Sequence, residues 1–135
     1  MRCYLSGPYS WREKIKAFEA ELIALGIEST ASWLYETAPP EATLDQFTDE
    51  QNRETAEVDI VDIRFSHVVV VFTVDPLGPA PPRGGRHWET GYAYAEGKEI
   101  VIIGPRENVF SYLGDIKVFA TPQLAKRYLH KRSLN

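Results

Sequence analysis

A glutamate stands where a proline- and glycine-rich segment gives way to a short helix. The segment 74–88 contains Gly84 and Gly85, and the pattern after it predicts a helix over about 88–96. Glu89 would then lie in the first helical turn, where unpaired N–H groups and the helix dipole favour an ionised carboxyl group. Such an anion suits nucleophilic attack better than proton donation. Because glutamate also stabilises first turns, a purely structural role is the alternative.

Two aspartates on the preceding predicted helix are candidates for a second catalytic carboxyl group. Asp59 and Asp62 are three residues apart and share one helix face. Ile60 and Ile63 follow them at core spacing, so at least one carboxyl group should lie at the margin of the core. One ionised acid beside another that can hold a proton is the pair used to cleave glycosidic bonds. A solvated acidic face is the alternative interpretation.

A tight turn follows the first predicted strand. Ser6, Gly7 and Pro8 come between the apolar run 3–5 and a helical pattern. At such a turn the backbone can closely approach a sugar or a phosphate. The residues match neither a Walker loop nor the GxGxxG of dinucleotide-binding proteins, and an ordinary strand-to-helix turn would look the same.

Because basic residues lie near these candidates, a phosphorylated substrate remains one of the alternatives. Arginine guanidinium groups suit phosphate oxygens, and the three nearest are Arg12, Arg83 and Arg86. His87 could contact a leaving base or a phosphate, although an exposed histidine is the preferred interpretation. His67 is predicted to be a helix-end residue rather than a catalyst.

The elements that position these residues alternate between strand and helix. Apolar runs predict strands at 3–5, 27–33, 68–72, 100–103 and 117–119. Periodicity and capping residues predict helices at about 11–25, 48–65, 88–96 and 121–129. The unbroken run 68–72 is typical of a strand covered on both faces, as parallel sheets require. The chain is therefore predicted to be one α/β domain over 1–135, a flavodoxin-like three-layer sandwich with a parallel sheet of about five strands.

Ligands of such sheets bind beyond the carboxyl ends of the strands, near the point where the strand order reverses. The loops after Leu5, Trp33, Phe72 and Ile103 should therefore hold the site. The loop 36–47 is unusually long and is predicted to be a lid or binding loop.

Composition argues against several other classes of protein. The 135 residues carry a net charge of -4 and no cluster of Lys and Arg, which argues against a nucleic-acid polymer or a membrane surface as partner. The single cysteine, Cys3, can form no internal disulfide and no cysteine cluster for zinc. The apolar start is too short for a signal peptide, and no apolar run approaches the ~20 residues of a membrane span. A cytoplasmic location is expected.

Three segments carry a resemblance to a known family. They are Tyr-Leu-Ser-Gly-Pro at 4–8, Asp-Ile-Val-Asp-Ile at 59–63 before the polyvaline strand, and Gly-Gly-Arg-His-Trp-Glu-Thr-Gly-Tyr-Ala at 84–93. In this order, over nearly the whole chain, they resemble the nucleoside 2-deoxyribosyltransferase family, including its nucleotide N-glycoside hydrolase branch.

The resemblance implies catalytic roles for three residues. Glu89 takes the place of the nucleophile, which attacks C1′ of the deoxyribose, expels the base and leaves a glycosyl-enzyme ester. Asp59 matches the aspartate that positions the nucleophile and the sugar or assists the leaving base. Tyr4 matches a strand-end tyrosine that hydrogen-bonds the catalytic carboxylate.

The resemblance also implies substrate contacts. Trp33 is placed like residues that stack on the base, and Asn108 lies in a region that family members lend to a neighbouring subunit's sugar. The active protein is therefore expected to be a homo-oligomer with sites completed by a neighbour. The other predicted substrate-binding residues, which follow from the sequence reasoning above, are Ser6, Gly7, Pro8, Asp62 and Arg86. His67 replaces a frequent aspartate and the loop 75–86 is long and proline-rich, so base selection cannot be carried over.

Three functions remain open on the sequence alone. The first is transfer of deoxyribose from a 2′-deoxynucleoside to another free base through a covalent Glu89 intermediate, with no metal or organic cofactor. The second is hydrolysis of a deoxynucleoside 5′-monophosphate held by Ser6, Ser10 or an arginine. The third is a non-catalytic nucleotide-binding module, because a fold alone does not define a function.

Overall fold

The protein forms a five-stranded parallel sheet covered by helices. The structure is a computed structural model that describes residues 1–38, 42–75 and 84–135. The strands are β1 (Arg2–Ser6), β2 (Glu28–Ser29), β3 (Val68–Phe72), β4 (Glu99–Ile103) and β5 (Lys117–Phe119). Their order is β2-β1-β3-β4-β5, and all neighbouring pairs are parallel. The predicted flavodoxin-like α/β fold is confirmed, with the strand order reversing between β1 and β3.

In the described segments, three α-helices connect strands and a fourth follows β5. They are α1 (Arg12–Ala24), α2 (Asp49–Phe65), α3 (Gly85–Ala95) and α4 (Pro122–Ser133). The predicted capping box at the start of α2 is present, because the Thr48 hydroxyl accepts from the Gln51 N–H and the Gln51 side chain accepts from the Thr48 N–H. Helix α1 packs against α4, and α2 packs against α3. No helix in the described segments is long and apolar enough to cross a membrane.

The centre of the sheet is the polyvaline strand. Every residue of β3 is buried, and the strand pairs with β1 on one side and β4 on the other. The Phe72 ring packs edge-on against Phe18 of α1 at a centroid distance of 5.2 Å. The prediction of a central strand covered on both faces is therefore confirmed.

The second strand is much shorter than predicted. Its residues were expected to extend to Trp33, but β2 ends at Ser29 and Trp33 lies in a 3₁₀ turn, Ser32–Tyr35. The Asp62 carboxylate accepts hydrogen bonds from the backbone N–H and the hydroxyl of Ser32. These contacts, from a residue 30 positions away, draw the chain out of the sheet despite its β-forming residues.

Helix α3 begins at Gly85, about three residues before the predicted start. Glu89 is therefore the fifth helical residue and lies in the second turn, so its predicted place in the first turn is wrong. The side chain of Arg86, in the first turn, forms an ion pair with Glu107. That long-range contact holds the first turn in helical form without an acidic cap.

The turn that leaves β1 requires its glycine. A Cβ atom on Gly7 would lie 2.7 Å from Cδ1 of Ile15 and 3.1 Å from Cβ of Phe72, so any side chain would displace the core. This turn brings the chain close to the end of β3. The predicted lid prolines Pro39 and Pro40 and most of the proline-rich loop, including Arg83, lie outside the described residues.

Candidate active site

A large cleft lies at the carboxyl ends of β1 and β3, between the 3₁₀ turn Ser32–Tyr35 and helices α2 and α3. Its volume is about 1670 Å³. This is the edge of the sheet where the strand order reverses, and where the sequence predicted the site. The predicted site residues in its wall are Tyr4, Gly7, Pro8, Trp33, Asp59, Arg86 and Glu89.

The Glu89 carboxyl group is held by two hydroxyl groups of β1. The Tyr4 hydroxyl donates to Oε2 of Glu89, and the Ser6 hydroxyl donates to Oε1 at 2.8 Å. Tyr4 and Ser6 lie two residues apart in β1, so their side chains point to the same face of the sheet. Both hydroxyl groups therefore reach helix α3. Tyr4 and Ser6 are fully buried. The two bonds fix the carboxyl group in one orientation at the cleft wall.

Two opposing effects determine the protonation of Glu89. Burial raises the pKa of Glu89, while the hydrogen bonds from Tyr4 and Ser6 lower it, and the net pKa is above the usual value. The helix N-terminus was expected to favour the ionised form, but Glu89 lies beyond the first turn. The charged form is instead stabilised by side-chain hydroxyls from the neighbouring strand.

Asp59 is the second carboxyl group of the cleft. Its Oδ1 is buried and accepts no hydrogen bond from the described residues. Burial, followed by the negative charges of Glu89, Glu36 and Asp62, raises the pKa of Asp59 to about 8. Asp59 therefore holds its proton at neutral pH. The expectation that one of the two aspartates lies at the margin of the core is confirmed.

Asp62 and Trp33 are connected through the 3₁₀ turn Ser32–Tyr35. The Asp62 carboxylate accepts from the Ser32 N–H at 3.1 Å and from its hydroxyl at 2.5 Å, which anchors the turn to α2. The Trp33 indole N–H donates to the Leu5 carbonyl at 2.7 Å, so the ring stands beside the end of β1. Trp33 is 7% exposed. Contact of Asp62 or Trp33 with a substrate stays a prediction.

The arginines near the cleft are engaged by the protein itself. Arg86 Nε lies 3.0 Å from Oε1 of Glu107, its Nη2 contacts Oε2, and the two side chains are only 6% and 9% exposed. Nη1 of Arg12 donates to the Tyr9 hydroxyl and to the carbonyls of Glu36 and Ala38 at 2.6 to 2.8 Å. Contact between Arg86 and a substrate stays a prediction, because its guanidinium group is paired with the Glu107 carboxylate.

Asn108 follows β4, in a segment that does not line the cleft. Its side-chain carbonyl accepts from the Phe110 N–H at 3.0 Å and caps the 3₁₀ turn Val109–Tyr112. The asparagine is exposed, as are the apolar side chains that follow it. Its contribution to a neighbouring subunit's site stays a prediction.

The histidines lie where the sequence analysis preferred to place them. Nδ1 of His67 accepts from the Arg2 N–H at 3.0 Å, at the end of the sheet opposite the cleft. His87 is exposed on α3, with Nε2 4.0 Å from Oε2 of Glu107. Within the described segments, no group of His, Cys, Asp and Glu side chains is arranged to hold a metal ion.

Sequence reasoning missed Glu36, Glu107 and the anchoring role of Arg12. Glu36 lines the cleft and raises the pKa of Asp59. Glu107 neutralises Arg86. No local pattern marks these residues, because each acquires its importance from a partner more than 20 positions away. The joint action of Tyr4 and Ser6 on one carboxyl group could have been predicted, because residues two positions apart in a strand lie on the same face of the sheet.

A comparison with models of known protein families identifies the family of this chain. A family model described as nucleoside 2-deoxyribosyltransferase matches residues 3–120. The chain belongs to this family. Nucleoside 2-deoxyribosyltransferases act on small nucleosides or nucleotides and bases, so membership supports N-glycosyltransferase or N-glycosidase activity in general. No curated protein sequence matches the chain.

Solved structures show that the family's fold is shared. A 2-deoxyribosyltransferase from Bacillus psychrosaccharolyticus has a TM-score of 0.69 and 19% identity, over 95% of this chain and 92% of its own. The CMP N-glycosidase BcmB from Clostridium botulinum has a TM-score of 0.56 and 20% identity, over the full length of both chains. A conserved protein from Enterococcus faecalis V583 has a TM-score of 0.66 and 12% identity, over 98% of both chains. At these identities the likeness concerns the fold alone.

Proposed function

We propose that the protein transfers 2-deoxyribose from a 2′-deoxynucleoside to another base, with Glu89 as the nucleophile. The observation that supports this most strongly is the hydrogen-bonded Glu89 carboxyl group beside Asp59, a second carboxyl group that keeps its proton at neutral pH. A carboxylate nucleophile and a second carboxyl group that can hold a proton are what a two-step displacement at a sugar carbon requires.

The first step forms a covalent intermediate. An oxygen of the ionised Glu89 attacks C1′ of the deoxyribose, and the bond from C1′ to the base nitrogen breaks. The electron pair of that bond goes to the base, which takes a proton from Asp59. The sugar is left as an ester of Glu89, and Asp59 is left as a carboxylate.

The second step releases the sugar. A nitrogen of the incoming base attacks C1′, the ester bond breaks, and Glu89 regains its negative charge. Asp59 takes up the proton that the incoming base loses, which returns both carboxyl groups to their starting state. Two displacements at the same carbon retain its configuration. The Tyr4 and Ser6 hydroxyls orient the attacking carboxylate and stabilise it again when it leaves.

An exchange assay tests the proposal. The protein is incubated with a 2′-deoxynucleoside, with and without a second free base, and exchanged nucleoside is measured against free deoxyribose. We expect exchanged nucleoside, and we expect none from Glu89→Ala. Glu96→Ala, which removes an exposed carboxylate at the end of the same helix, should keep full exchange. Full activity in Glu89→Ala would exclude the mechanism.

The same assay distinguishes the alternatives. Free deoxyribose without exchange, or base release from deoxynucleoside 5′-monophosphates alone, would favour hydrolysis over transfer. Ligand binding that survives Glu89→Ala together with no base release from any nucleoside would favour a non-catalytic binding module. Intact-mass measurement with a deoxynucleoside and no acceptor tests the intermediate, since the wild type should gain one deoxyribosyl group and Glu89→Ala should gain none.

We further propose that the protein acts as a homo-oligomer in the cytoplasm. Asn108 and the turn Val109–Tyr112 would contact a neighbouring subunit, because Val109, Phe110 and Tyr112 present large exposed apolar side chains. Cys3 is a free thiol, which agrees with a reducing compartment.

A further inference from the structure

Glu36 presents a carboxyl group to the cleft that takes no direct part in the proposed reaction. It follows the 3₁₀ turn that carries Trp33, and it lines the same cleft as Glu89. None of the described residues donates a hydrogen bond to its carboxyl group, although its backbone carbonyl is bonded. Burial raises the pKa of Glu36, and the nearby Arg12 lowers it. A half-buried carboxyl group at the cleft wall can therefore accept a hydrogen bond from a ligand that displaces water.

The backbone beneath this carboxyl group is firmly held. Nη1 of the buried Arg12 donates to the carbonyls of Glu36 and Ala38, each at 2.8 Å. The Tyr9 hydroxyl donates to the same Ala38 carbonyl at 2.9 Å. Three bonds therefore fix the segment before residue 39, so the Glu36 side chain extends from a defined position.

The wall beside Glu36 suits a flat heterocycle. The rings of Tyr9 and Trp33 both line the cleft, with centroids 6.1 Å apart. The Trp33 indole N–H is used by the Leu5 carbonyl, so the indole has no free donor for a ligand. Aromatic walls with a few placed polar groups are typical of sites that bind small ligands. Because Glu36 also raises the pKa of Asp59, its charge lies within electrostatic reach of the acid that would protonate the base.

We propose that Glu36 selects bases that carry an exocyclic amino group over their oxo counterparts. An ionised carboxylate only accepts hydrogen bonds, and an amino group on adenine, cytosine or guanine can donate one. Hypoxanthine and uracil present a carbonyl oxygen at the place where adenine and cytosine carry the amino group, and two facing acceptors repel. This inference rests on the proposed function, because it takes the base of the cleaved nucleoside to occupy this cleft.

Matched substrate pairs test the inference. Deoxyadenosine and deoxyinosine differ in the exocyclic group at C6 and in the proton on the adjacent N1. Deoxycytidine and deoxyuridine differ in the same way at C4 and N3. We expect the wild type to favour the amino member of at least one pair by about tenfold or more in kcat/KM. Glu36→Gln should reduce this ratio to about one, because a carboxamide offers both a donor and an acceptor. Glu54→Gln is the matched control, since it removes an exposed carboxylate from the same cleft and should leave the ratio unchanged.

Binding measurements separate this inference from the proposed reaction. Dissociation constants of the same pairs are measured with Glu89→Ala and with Glu89→Ala/Glu36→Gln, which need no turnover. Ratios near one in the wild type, or ratios that Glu36→Gln leaves intact, would overturn the selection by Glu36 even if bases are exchanged. A binding preference that depends on Glu36, without base release from any nucleoside, would support the selection and overturn the proposed reaction. Absence of binding and of base release for every pair would overturn both.

Discussion

The Tyr4 hydroxyl opposes the effect of burial on Glu89. Burial raises the pKa of this carboxyl group, whereas the hydrogen bonds from Tyr4 and Ser6 lower it. A hydrogen bond to a charged group contributes about 1.5–3 kcal/mol, which corresponds to roughly a tenfold to hundredfold change in an equilibrium or a rate. We therefore expect the Tyr4 hydroxyl to increase the ionised fraction of Glu89, the proposed nucleophile.

Removing this hydroxyl should impair catalysis in a pH-dependent way. We expect Tyr4→Phe to lower kcat by roughly tenfold to a hundredfold at neutral pH and to move the acidic limb of the pH profile upward. The profile of kcat is the measurement. Tyr94→Phe, which removes an exposed hydroxyl bonded to Asp115, is the control and should match the wild type. An unchanged acidic limb in Tyr4→Phe would contradict the role given to this bond.

Asp59 should determine the alkaline limb of activity. Its pKa of about 8 means that the proton offered to the leaving base is lost as the pH rises through about 8. We expect the wild-type rate to fall over that range, and Asp59→Asn to have a low rate without this limb. An alkaline limb that persists in Asp59→Asn would show that another group titrates.

The same raised pKa has consequences for stability. The folded protein binds this proton more tightly than the unfolded chain, whose carboxyl group has a pKa near 3.8. The stabilising contribution is thus fully present below about pH 4 and is lost as the pH rises through about 8. We expect Asp59→Asn to have a higher Tm than the wild type at pH 9. The Tm difference between the variant and the wild type should be larger at pH 9 than at pH 4 by about 4 °C or more. Equal differences at the two pH values would contradict this.

At the level of elements, the turn that leaves β4 packs against the residue that follows β3 and tolerates only glycine. Gly104 has a φ of 117°, and a Cβ atom there would lie 2.6 Å from the Thr73 hydroxyl oxygen and 3.1 Å from the Thr73 carbonyl oxygen. The Thr73 hydroxyl donates to the Pro105 carbonyl at 2.6 Å. This turn sets the path of the chain towards Glu107, which pairs with the first turn of α3.

A side chain at this turn should destabilise the protein. We expect Gly104→Ala to lower the free energy of unfolding by about 2 kcal/mol or more, because the positive φ and the contact with Thr73 both oppose a Cβ atom. Urea denaturation measures the effect. Gly114→Ala is the control, since a Cβ atom at Gly114 would meet nothing within 4 Å. Equal stability of the two variants would contradict the role of this turn.

At the scale of the whole molecule, the described residues include two exposed apolar patches. One is a stripe on α2 formed by Val58, Val61 and Phe65, whose spacing places them on one helix face. The other is the turn Val109–Tyr112, where Phe110 is 68% exposed. Contiguous apolar patches on a protein surface mark interaction sites. We therefore expect the second patch, which follows Asn108, to form part of a subunit interface.

Assembly and activity should depend on each other. We expect the protein to sediment as an oligomer, and Phe110→Asp to shift it towards the monomer and to lose most of its activity. Leu134→Asp, which alters an equally exposed apolar side chain at the C-terminus, should do neither. Mixing Asn108→Ala with Glu89→Ala should restore activity that each variant lacks alone. A fully active monomer would show that no neighbour completes the site.

The sequence by itself determined the fold class and predicted the edge of the sheet at which the candidate site lies. Strand and helix periodicities are local, and the buried run 68–72 could only be a central strand. The carboxyl ends of parallel strands meet at one edge, so residues after β1 and β3 were bound to lie near each other. Candidates at these ends, such as Tyr4 and Glu89, could therefore be named from their positions along the chain.

Only the tertiary structure decided how those residues are held and charged. The chain leaves the sheet before Ser32 because the Ser32 hydroxyl donates a hydrogen bond to the carboxylate of Asp62, 30 positions away. Glu89 takes its hydrogen bonds from a strand 83 and 85 positions earlier, and its pKa follows from those bonds and from burial rather than from the helix end. Hydrogen bonding, burial and charge depend on partners that are distant in sequence, and no local pattern contains them.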